Sequence, residues 1–474
     1  MHPVVAALPR LADLAARPAM RRLIRAFGES GHELAMVGGP VRDALLDREV
    51  TDLDLTTDAR PEEVARIVGP LASVQWDAGR AFGTVAARIA GETVEITTYR
   101  RDVYTPSSRK PEVVFGDTLD GDLRRRDFTA NAIAVRLPSL SIVDPTDGIA
   151  AIAERRLTTP SPPLESFDED PLRMMRAARF TAQLGFALDA DATAAMERLV
   201  DRIEVVSQER IKDELVKLLA TDVARPGLEL LVDTGLAERV LPELPALRLT
   251  VDALHRHKDV YQHSLTVLEQ AVELEHLRFP GHGPDIVLRL AALLHDIGKP
   301  ATRRFEGGQV TFHHHDVVGA KLARKRLKAL RFPNEQIEQV AMLIELHQRF
   351  FGYGEGAWTD SAVRRYVRDA GDLLPRLHIL TRADVTTRNP RKVRRLATAY
   401  DDLERRIAAL QEQEVLGAIR PDLDGQAIMR ELGVAPGPVV GEAYRFLLEL
   451  RLDEGPLGEE EATRRLHEWW AARS

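Results

Sequence analysis

The stretch Met36–Thr57, MVGGPVRDALLDREVTDLDLTT, constrains this chain more than any other. It reads as a short apolar lead-in, a Gly38-Gly39 turn, a helix carrying Arg42 and Asp43, and a strand on which Asp52 and Asp54 alternate with Leu53 and Leu55. Side chains on a strand alternate in direction, so both carboxylates leave one face while the leucines bury the other. Two like charges side by side gain nothing from packing, and a divalent cation held between carboxylates and substrate phosphates resolves the conflict. A Gly-Gly turn ahead of a helix offers free N–H groups and room for a phosphate chain. A plain turn followed by a solvated strand would look the same at any one of these positions. Taken together they predict a metal-dependent phosphoryl- or nucleotidyl-transfer site.

At 474 residues the chain exceeds what one hydrophobic core organises, and roughly three or four domains are expected. A hydrophobic share of 44% is ordinary for a folded chain. No segment approaches the ~18 uninterrupted apolar residues of a membrane span, and the N-terminus lacks the basic start and long apolar core of a signal peptide. Cysteine is absent, so disulfides and thiolate metal sites are excluded and any metal must use His and carboxylates. A cytoplasmic location with no membrane partner is the expectation. The net charge of −8 argues against indiscriminate nucleic-acid binding, while leaving room for a local basic stripe.

Residues 1–30 pattern as helix, and PEEVARIV as a helix with Pro61 in its first turn. FGTVAARIAGETVEITTYR predicts a hairpin around Ala90-Gly91-Glu92, with Val94 and Ile96 on one face and Glu95 on the other. Glu95 is thereby a candidate third carboxylate beside Asp52 and Asp54. Residues 100–124 are polar and read as a long functional connection. RRRDFTANAIAV follows, in which Arg126 can meet phosphates as a planar fork and Asp127 and Asn131 can bond a sugar or hold the turn before IVDPTDG. TTPSPPLESF reads as a Pro-Ser linker.

EDPLRMMRAARFTAQLGF then predicts a helix with Pro171 in its first turn. Asp170, Arg173 and Arg176 recur every three residues and so share one side. Such a trio is common on solvated helices. A locked Asp170–Arg173 pair, however, offers an acceptor beside donors. Cytosine and adenine both present an exocyclic amine next to a ring-nitrogen acceptor, whereas uracil and guanine put a carbonyl in the amine's place. The pair would therefore accept C and A without a template.

GGPVRD with TDLDL, RRDFTANAIA, DPTDG and EDPLRMMRAARF, in this order over residues 34–190, resemble the motif series of class II CCA-adding tRNA nucleotidyltransferases. These are relatives of bacterial poly(A) polymerase in the polymerase-β-like superfamily. The proline in GGPVRD departs from the small residue more usual there. The resemblance implies an α+β fold: a small mixed-sheet nucleotidyltransferase head, then mainly helical neck, HD and tail domains. It implies that Asp52 and Asp54 bind Mg²⁺. Gly38, Gly39, Arg42, Arg126, Asp127 and Asn131 would surround the triphosphate and ribose, and Asp170 and Arg173 would read the base with Arg176 and Arg179 nearby. The implied partners are tRNA, CTP and ATP.

A second cluster lies in the C-terminal half. His263 sits in DVYQHSLTVLEQAVEL, and IVLRLAALLHDIGKP is a nearly apolar helix ending in His295-Asp296. A lone His on an apolar helix usually belongs to the core, but a buried Asp needs a partner. With His315, His347 and Asp384, the series H…HD…D resembles the HD phosphohydrolase domain. That resemblance assigns His263, His295, Asp296 and Asp384 as core ligands, with His315 and His347 as additions. Imidazole and carboxylate together suit Mn, Fe, Co, Ni or Zn. The basic segments KLARKRLKALRF and RNPRKVRRLATAY are either solvated faces or phosphate contacts.

The expected division is a head at 1–160, a neck and body at 161–250, an HD domain at 251–400 and a helical tail at 401–474. The expected activity is template-independent CCA addition to tRNA by a two-metal mechanism. Its rivals are poly(A) synthesis, CC- or A-only addition, and an HD phosphohydrolase acting on RNA ends.

Overall fold

A computed structural model describes residues 3–76, 83–103, 112–115, 118–248, 259–306, 309–353, 358–387, 389–414 and 420–473. The chain forms two compact units, Met1–Pro242 and Glu243–Ser474.

The first unit carries the sheet. Strand β1 (Leu34–Val37) is buried at every residue, as expected of a central strand covered on both faces. It lies between β2 (Leu53–Thr57) and β8 (Ala134–Leu137), antiparallel to both. The remaining strands are β3 (Val74–Trp76), β4 (Thr84–Ile89), β5 (Glu92–Thr98) and β9 (Ser141–Val143), giving a seven-stranded mixed sheet in the order β3-β4-β5-β2-β1-β8-β9. Within this sheet, among the described residues, only the β2–β5 pairing is parallel, and it sets Asp54 directly beside Glu95. Ala90 and Gly91 both have positive φ, 52° and 87°, the requirement of a two-residue hairpin turn whose twist matches its strands. Glu92 already belongs to β5.

Two expectations change here. The polar connection 100–124 is partly regular: β6 (Arg100–Val103) pairs with β7 (Glu112–Phe115), and Leu119–Arg124 is helical. The Val-Val-Phe run of β7 favours a strand; residues 104–111, 116 and 117 lie outside the described residues. The Pro-Ser linker is also shorter than its composition suggests. A helix begins at Pro163, where a proline at the first position loses no needed N–H. Arg156–Leu157 pairs in parallel with Ala187–Leu188, so the chain before and after the Pro-Ser segment is held in one body.

The helix Leu172–Leu184 packs against Gln208–Leu219 and Arg225–Asp233. Ser207 caps the second of these by accepting from the Arg210 N–H at 3.4 Å.

The second unit is helical apart from one short hairpin, among the described residues. Val260–Arg278 packs on Ile286–Leu294 and Leu374–Ala383, while Asn334–Leu346 packs on Ile286–Leu294 and on His315–Ala329. The apolar helix Ile286–Leu294 contains one charge, fully buried Arg289, neutralised by Glu275 at 2.9 Å. The tail helices Gly425–Leu432, Pro438–Glu454 and Glu459–Ala471 enclose a small core of Leu423, Ile428, Ala443, Leu447, Ala462 and Leu466.

Candidate active site and metal cluster

In the first unit the Gly-Gly turn is the meeting point. Gly38 has φ 72°, and a Cβ there would stand 3.1 Å from Arg126 Nη1, so a side chain would push that guanidinium away. A Cβ on Gly39 would lie 3.9 Å from both Arg42 Nη2 and Asp54 Oδ2. One turn thus draws together a carboxylate and two guanidinium groups from three separate segments of the chain. Asp52 is exposed immediately before β2, Asp54 is half-buried on it, and Glu95 is exposed on β5. Burial, then Glu95 and Asp52, push the Asp54 carboxyl up to about 6, against Arg126 and Arg42. A group of three anions that raises its own proton affinity has the donor chemistry of a hard-cation site.

The arginines are held from behind. Buried Asp122 accepts from Arg126 Nη2 at 3.3 Å and from Arg125 at 2.7 and 3.0 Å. Burial opposes its charge, but Arg126 and Arg125 outweigh it and hold the carboxyl below its usual range. Arg42 donates to Asn131 Oδ1 at 2.7 Å and forks onto Asp43 at 2.9 Å. Asn131 donates to Asp127 Oδ1 at 3.1 Å, and Asp127 Oδ2 accepts from Arg176 at 2.7 and 2.5 Å. Buried Glu214 lies 3.6 Å from Arg176 and 2.8 Å from Arg179. Arg42, Asn131, Asp127, Arg176 and Arg179 therefore sit in one network, while Arg126 is held separately by Asp122. The Phe180 ring supports it, with the guanidinium carbons of Arg179, Arg42 and Arg176 at 4.1, 5.3 and 5.4 Å from its centroid. Burial and the neighbouring Arg176 push Arg179 down to about 10, against Glu214.

The expected Asp170–Arg173 pair is not formed. The helix starts at Leu172, so Asp170 lies outside it and accepts from the Leu172 N–H at 3.2 Å, with its other oxygen 3.3 Å from Arg210. Arg173 turns inward and donates to Ser166 Oγ at 2.8 Å and to the Arg125 carbonyl at 2.8 Å. Asp122, Phe180, Arg210 and Glu214 were not expected from sequence. Asp122 had a signal, standing four residues before Arg126 on a short helix; Glu214 is one acid among several on an amphipathic helix and had none.

In the second unit the predicted ligands are gathered, as two groups rather than one. His263, His295 and Asp384 form the first, and Asp296, His315 and His347 the second, with donor atoms in each group within 4.8 Å of one another. The groups interlock: Asp384 Oδ1 is 2.9 Å from His263 Nε2 and 3.6 Å from His295 Nε2, and Asp296 Oδ2 is 3.3 Å from His295 Nε2. Three imidazoles are fixed from outside through Nδ1, by the carbonyls of Ala292, Phe312 and Ile344 at 2.9, 2.8 and 2.6 Å. Each carbonyl belongs to the residue three positions before its histidine. Thr386 Oγ1 holds His263 Nδ1 at 3.0 Å. Nδ1 is thus engaged in all four, the usual arrangement behind metal-bound histidine, and Nε2 of His347 also lies 3.0 Å from the Gln348 side-chain amide. Gly298 permits the assembly, because a Cβ there would come within 2.0 Å of the His315 carbonyl.

Without a cation the cluster is electrostatically uncomfortable. Burial disfavours charge on His295, but Asp296 and Asp384 push it up to about 10; burial and that neighbour push His347 down to about 4. Asp296 Oδ1 and His315 Nε2, 3.3 Å apart, are both buried without a hydrogen-bond partner. Orphaned acceptors facing one another fit a metal ion. Asp52, Asp54 and Glu95 form no comparably tight group.

Three family models match the chain: the poly A polymerase head domain over residues 34–158, the probable RNA- and SrmB-binding site of polymerase A over 185–247, and the HD domain over 260–389. The A-adding tRNA nucleotidyltransferase of Deinococcus radiodurans is 35% identical over 92% of this chain and 95% of its own length. The chain belongs to the tRNA nucleotidyltransferase family. The CC-adding tRNA nucleotidyltransferase of Thermus thermophilus is 34% identical over 92% of this chain and 93% of its own. The CCA-adding enzyme of Geobacillus kaustophilus is 42% identical over 49% of this chain and 55% of its own. Among solved structures, the Bacillus stearothermophilus CCA-adding enzyme in complex with CTP superposes with a TM-score of 0.68 at 27% identity, covering 96% of this chain and 99% of that one. The chain is accordingly a nucleotidyltransferase with an HD domain. Both families depend on metal ions, and the donor groups described above supply places for them. Among the described residues no helix is long and apolar enough to cross a membrane.

Proposed function

We propose that the head adds C, C and A to the 3′ end of tRNA from CTP and ATP. The observation that carries this is the convergence of Gly39, Arg42, Asp54 and Arg126 on one turn. The new bond joins the tRNA 3′-oxygen to the α-phosphorus; the bond to the β-phosphate oxygen breaks and pyrophosphate leaves. Asp52 and Asp54, with Glu95 on the adjoining strand, would hold Mg²⁺, which when bound lowers the pKa of the attacking hydroxyl and neutralises charge on the triphosphate. Arg42 and Arg126 meet the phosphates, Gly38 and Gly39 give them room, and Asp127 and Asn131 face the ribose. Because Asp122 and the Asn131–Asp127–Arg176 chain fix these groups beforehand, little reorganisation is left for the reaction itself.

Base choice we assign to Asp170 and Arg173, beside Arg176 and Arg179. Asp170 would exchange its contact with Arg210, and Arg173 its contacts with Ser166 and the Arg125 carbonyl, for the Watson–Crick edge of C or A. The four segments, 1–160, 161–250, 251–400 and 401–474, would then be catalytic head, RNA-holding neck, HD domain and tail, in keeping with the spans of the three matched models. Since tRNA and the nucleotides are its substrates, we place the enzyme in the cytoplasm.

The two relatives that match along nearly the whole chain are named as A-adding and CC-adding, so partial addition is the reading to test against. Purified protein is given Mg²⁺, tRNA lacking its 3′ end, and each nucleotide singly and in pairs. Growth by C, C and A only with CTP plus ATP is expected. A stop at CC, extension only of tRNA already ending in CC, or repeated A addition from ATP alone would replace the proposal with the corresponding rival.

For the second unit we propose a phosphoester hydrolase centre holding Mn, Fe, Co, Ni or Zn on His263, His295, Asp296, His315, His347 and Asp384. Its support is the pair of orphaned, facing atoms on Asp296 and His315.

A further inference from the structure

Between Asp296 and His315 of the HD cluster the chain makes an excursion as a short hairpin. It leaves at Asp296, turns through Lys299–Thr302, runs up Arg304–Glu306, returns down Gln309–Thr311, and re-enters at His315. The returning strand pairs antiparallel with the outgoing one, Phe305 opposite Val310. Both feet are fixed at the cluster. Lys299 Nζ lies 2.6 Å from Asp296 Oδ2 and 5.7 Å from the centroid of the Phe312 ring, and His315 Nε2 lies 3.3 Å from Asp296 Oδ1. A strand of three residues rises only ~10 Å, so the hairpin stands within about one nucleotide's reach of its feet.

What it displays is unusual for a two-stranded ribbon, which has little stability to spare. All three residues of the outgoing strand are exposed, and Phe305 is 68% exposed. Strand alternation puts Arg303 on the Phe305 side, and its guanidinium lies 5.2 Å from the ring centroid. Arg303 is half-buried and Arg304 adds an exposed cation, while Glu306 is occupied by His313 at 3.5 Å. An aromatic face attended by arginine is how proteins stack a base without reading its identity. A lone phenylalanine among cations is too small and too charged an apolar patch to anchor a protein partner.

We propose that this hairpin is a base-stacking platform that holds the base of a nucleotide whose phosphate lies at the HD centre. The inference rests on the phosphoester reading of the cluster. The phosphate lies among Lys299 and the metal ligands, and the base lies against Phe305. In the hydrolysis the oxygen of water bonds to phosphorus, the phosphorus–oxygen ester bond breaks, and the leaving oxygen takes a proton.

The test uses the full-length Phe305→Trp protein loaded with Mn²⁺, with wild-type emission subtracted. AMP and ribose 5-phosphate carry the same phosphate and differ by the base. Saturable quenching of the added indole by AMP but not by ribose 5-phosphate is expected. In turnover, Phe305→Ala should raise the KM for AMP about tenfold and leave ribose 5-phosphate unchanged. Indole emission indifferent to AMP overturns the platform whether or not esters are cleaved. Hydrolysis of both compounds with no effect of Phe305→Ala overturns the platform and leaves the hydrolase reading standing. Quenching by AMP with no hydrolysis under Mn²⁺ or Ni²⁺ supports the platform and removes the hydrolase reading.

Discussion

The head and the HD cluster solve the problem of holding a cation in opposite ways. In the head, Asp52 and Glu95 are exposed, only Asp54 is half-buried, and the strongest organised features are cationic: Arg42, Arg126, Arg176 and Arg179, each backed by an acid or amide. On the proposed reading, its metal site would be completed by a triphosphate, which would bring charge for the arginines and oxygen ligands for the metal. In the HD bundle the donors are already gathered and mostly buried, and each histidine is anchored through Nδ1. The difference teaches that a transferase site can be left incomplete until its substrate arrives, whereas a resident metal needs its ligands aimed in advance.

The largest expected effect tests the head's side of that contrast. Asp54→Ala should lower nucleotide incorporation on the order of a thousandfold, while metal bound per chain in the HD cluster stays at the wild-type value by elemental analysis. Near-normal incorporation by a folded Asp54→Ala protein would remove the two-carboxylate mechanism. His295→Ala is the converse. It removes a donor shared by the interlocked groups, so metal retained through gel filtration should drop at least about tenfold, with nucleotide addition unaltered. If metal retention survived, the six-residue cluster would not be the resident site.

A third experiment probes through pH how firmly the head's arginines are held. Burial works against charge on Asp127, but Arg176, Asn131 and the Phe128 N–H hold its carboxyl far below the ordinary value of 3.8. A depressed carboxyl stabilises the folded state above the unfolded pKa and loses that contribution as pH falls through the folded one. Asp127→Asn should therefore destabilise the protein by about 3 kcal/mol at pH 7, since it leaves Arg176 without its closest anion. The gap in urea midpoint between wild type and variant should narrow as pH falls below 3.8. A gap that stayed constant would mean that Asp127 acts by shape and not by charge.

Much of this was legible in the sequence, and the reason is local. Alternation put Asp54 and Glu95 on the polar faces of their strands, the Ala90-Gly91 pair marked the hairpin, and apolar helices ending in His-Asp or His marked the candidate ligands of the cluster. Each of these signals lies within a few residues of the feature it predicts. The failures share the opposite property. Asp170 and Arg173 stand three apart and looked like a pair, but Arg210 captures one and Ser166 with the Arg125 carbonyl captures the other, none of which the spacing could reveal. Glu214 joins the arginine network only because its helix packs on Leu172–Leu184. That the cluster divides into two groups depends on the rotation of each imidazole, which is fixed by three backbone carbonyls and the Thr386 hydroxyl.

The smallest effect is the most discriminating, because it asks whether the head's acids repel one another as the geometry implies. Glu95 lies beside Asp54 across the parallel β2–β5 pairing, and its charge is the largest cause after burial of the Asp54 carboxyl standing near 6. Glu95→Gln has two opposed consequences. At pH 7.5 Asp54 is ionised in both proteins, so the variant has lost one attractive charge and should bind Mg²⁺ about threefold more weakly. Near pH 5.5 a proton competes for wild-type Asp54, whereas the variant's Asp54, relieved of its neighbour, stays ionised to lower pH. The ratio of wild-type to variant affinity, measured by Mg²⁺ titration, should therefore shrink as pH falls from 7.5 to 5.5. A ratio that held steady would show that the charge of Glu95 does not move the Asp54 carboxyl, and the head would then lack the repulsion that a bound cation relieves.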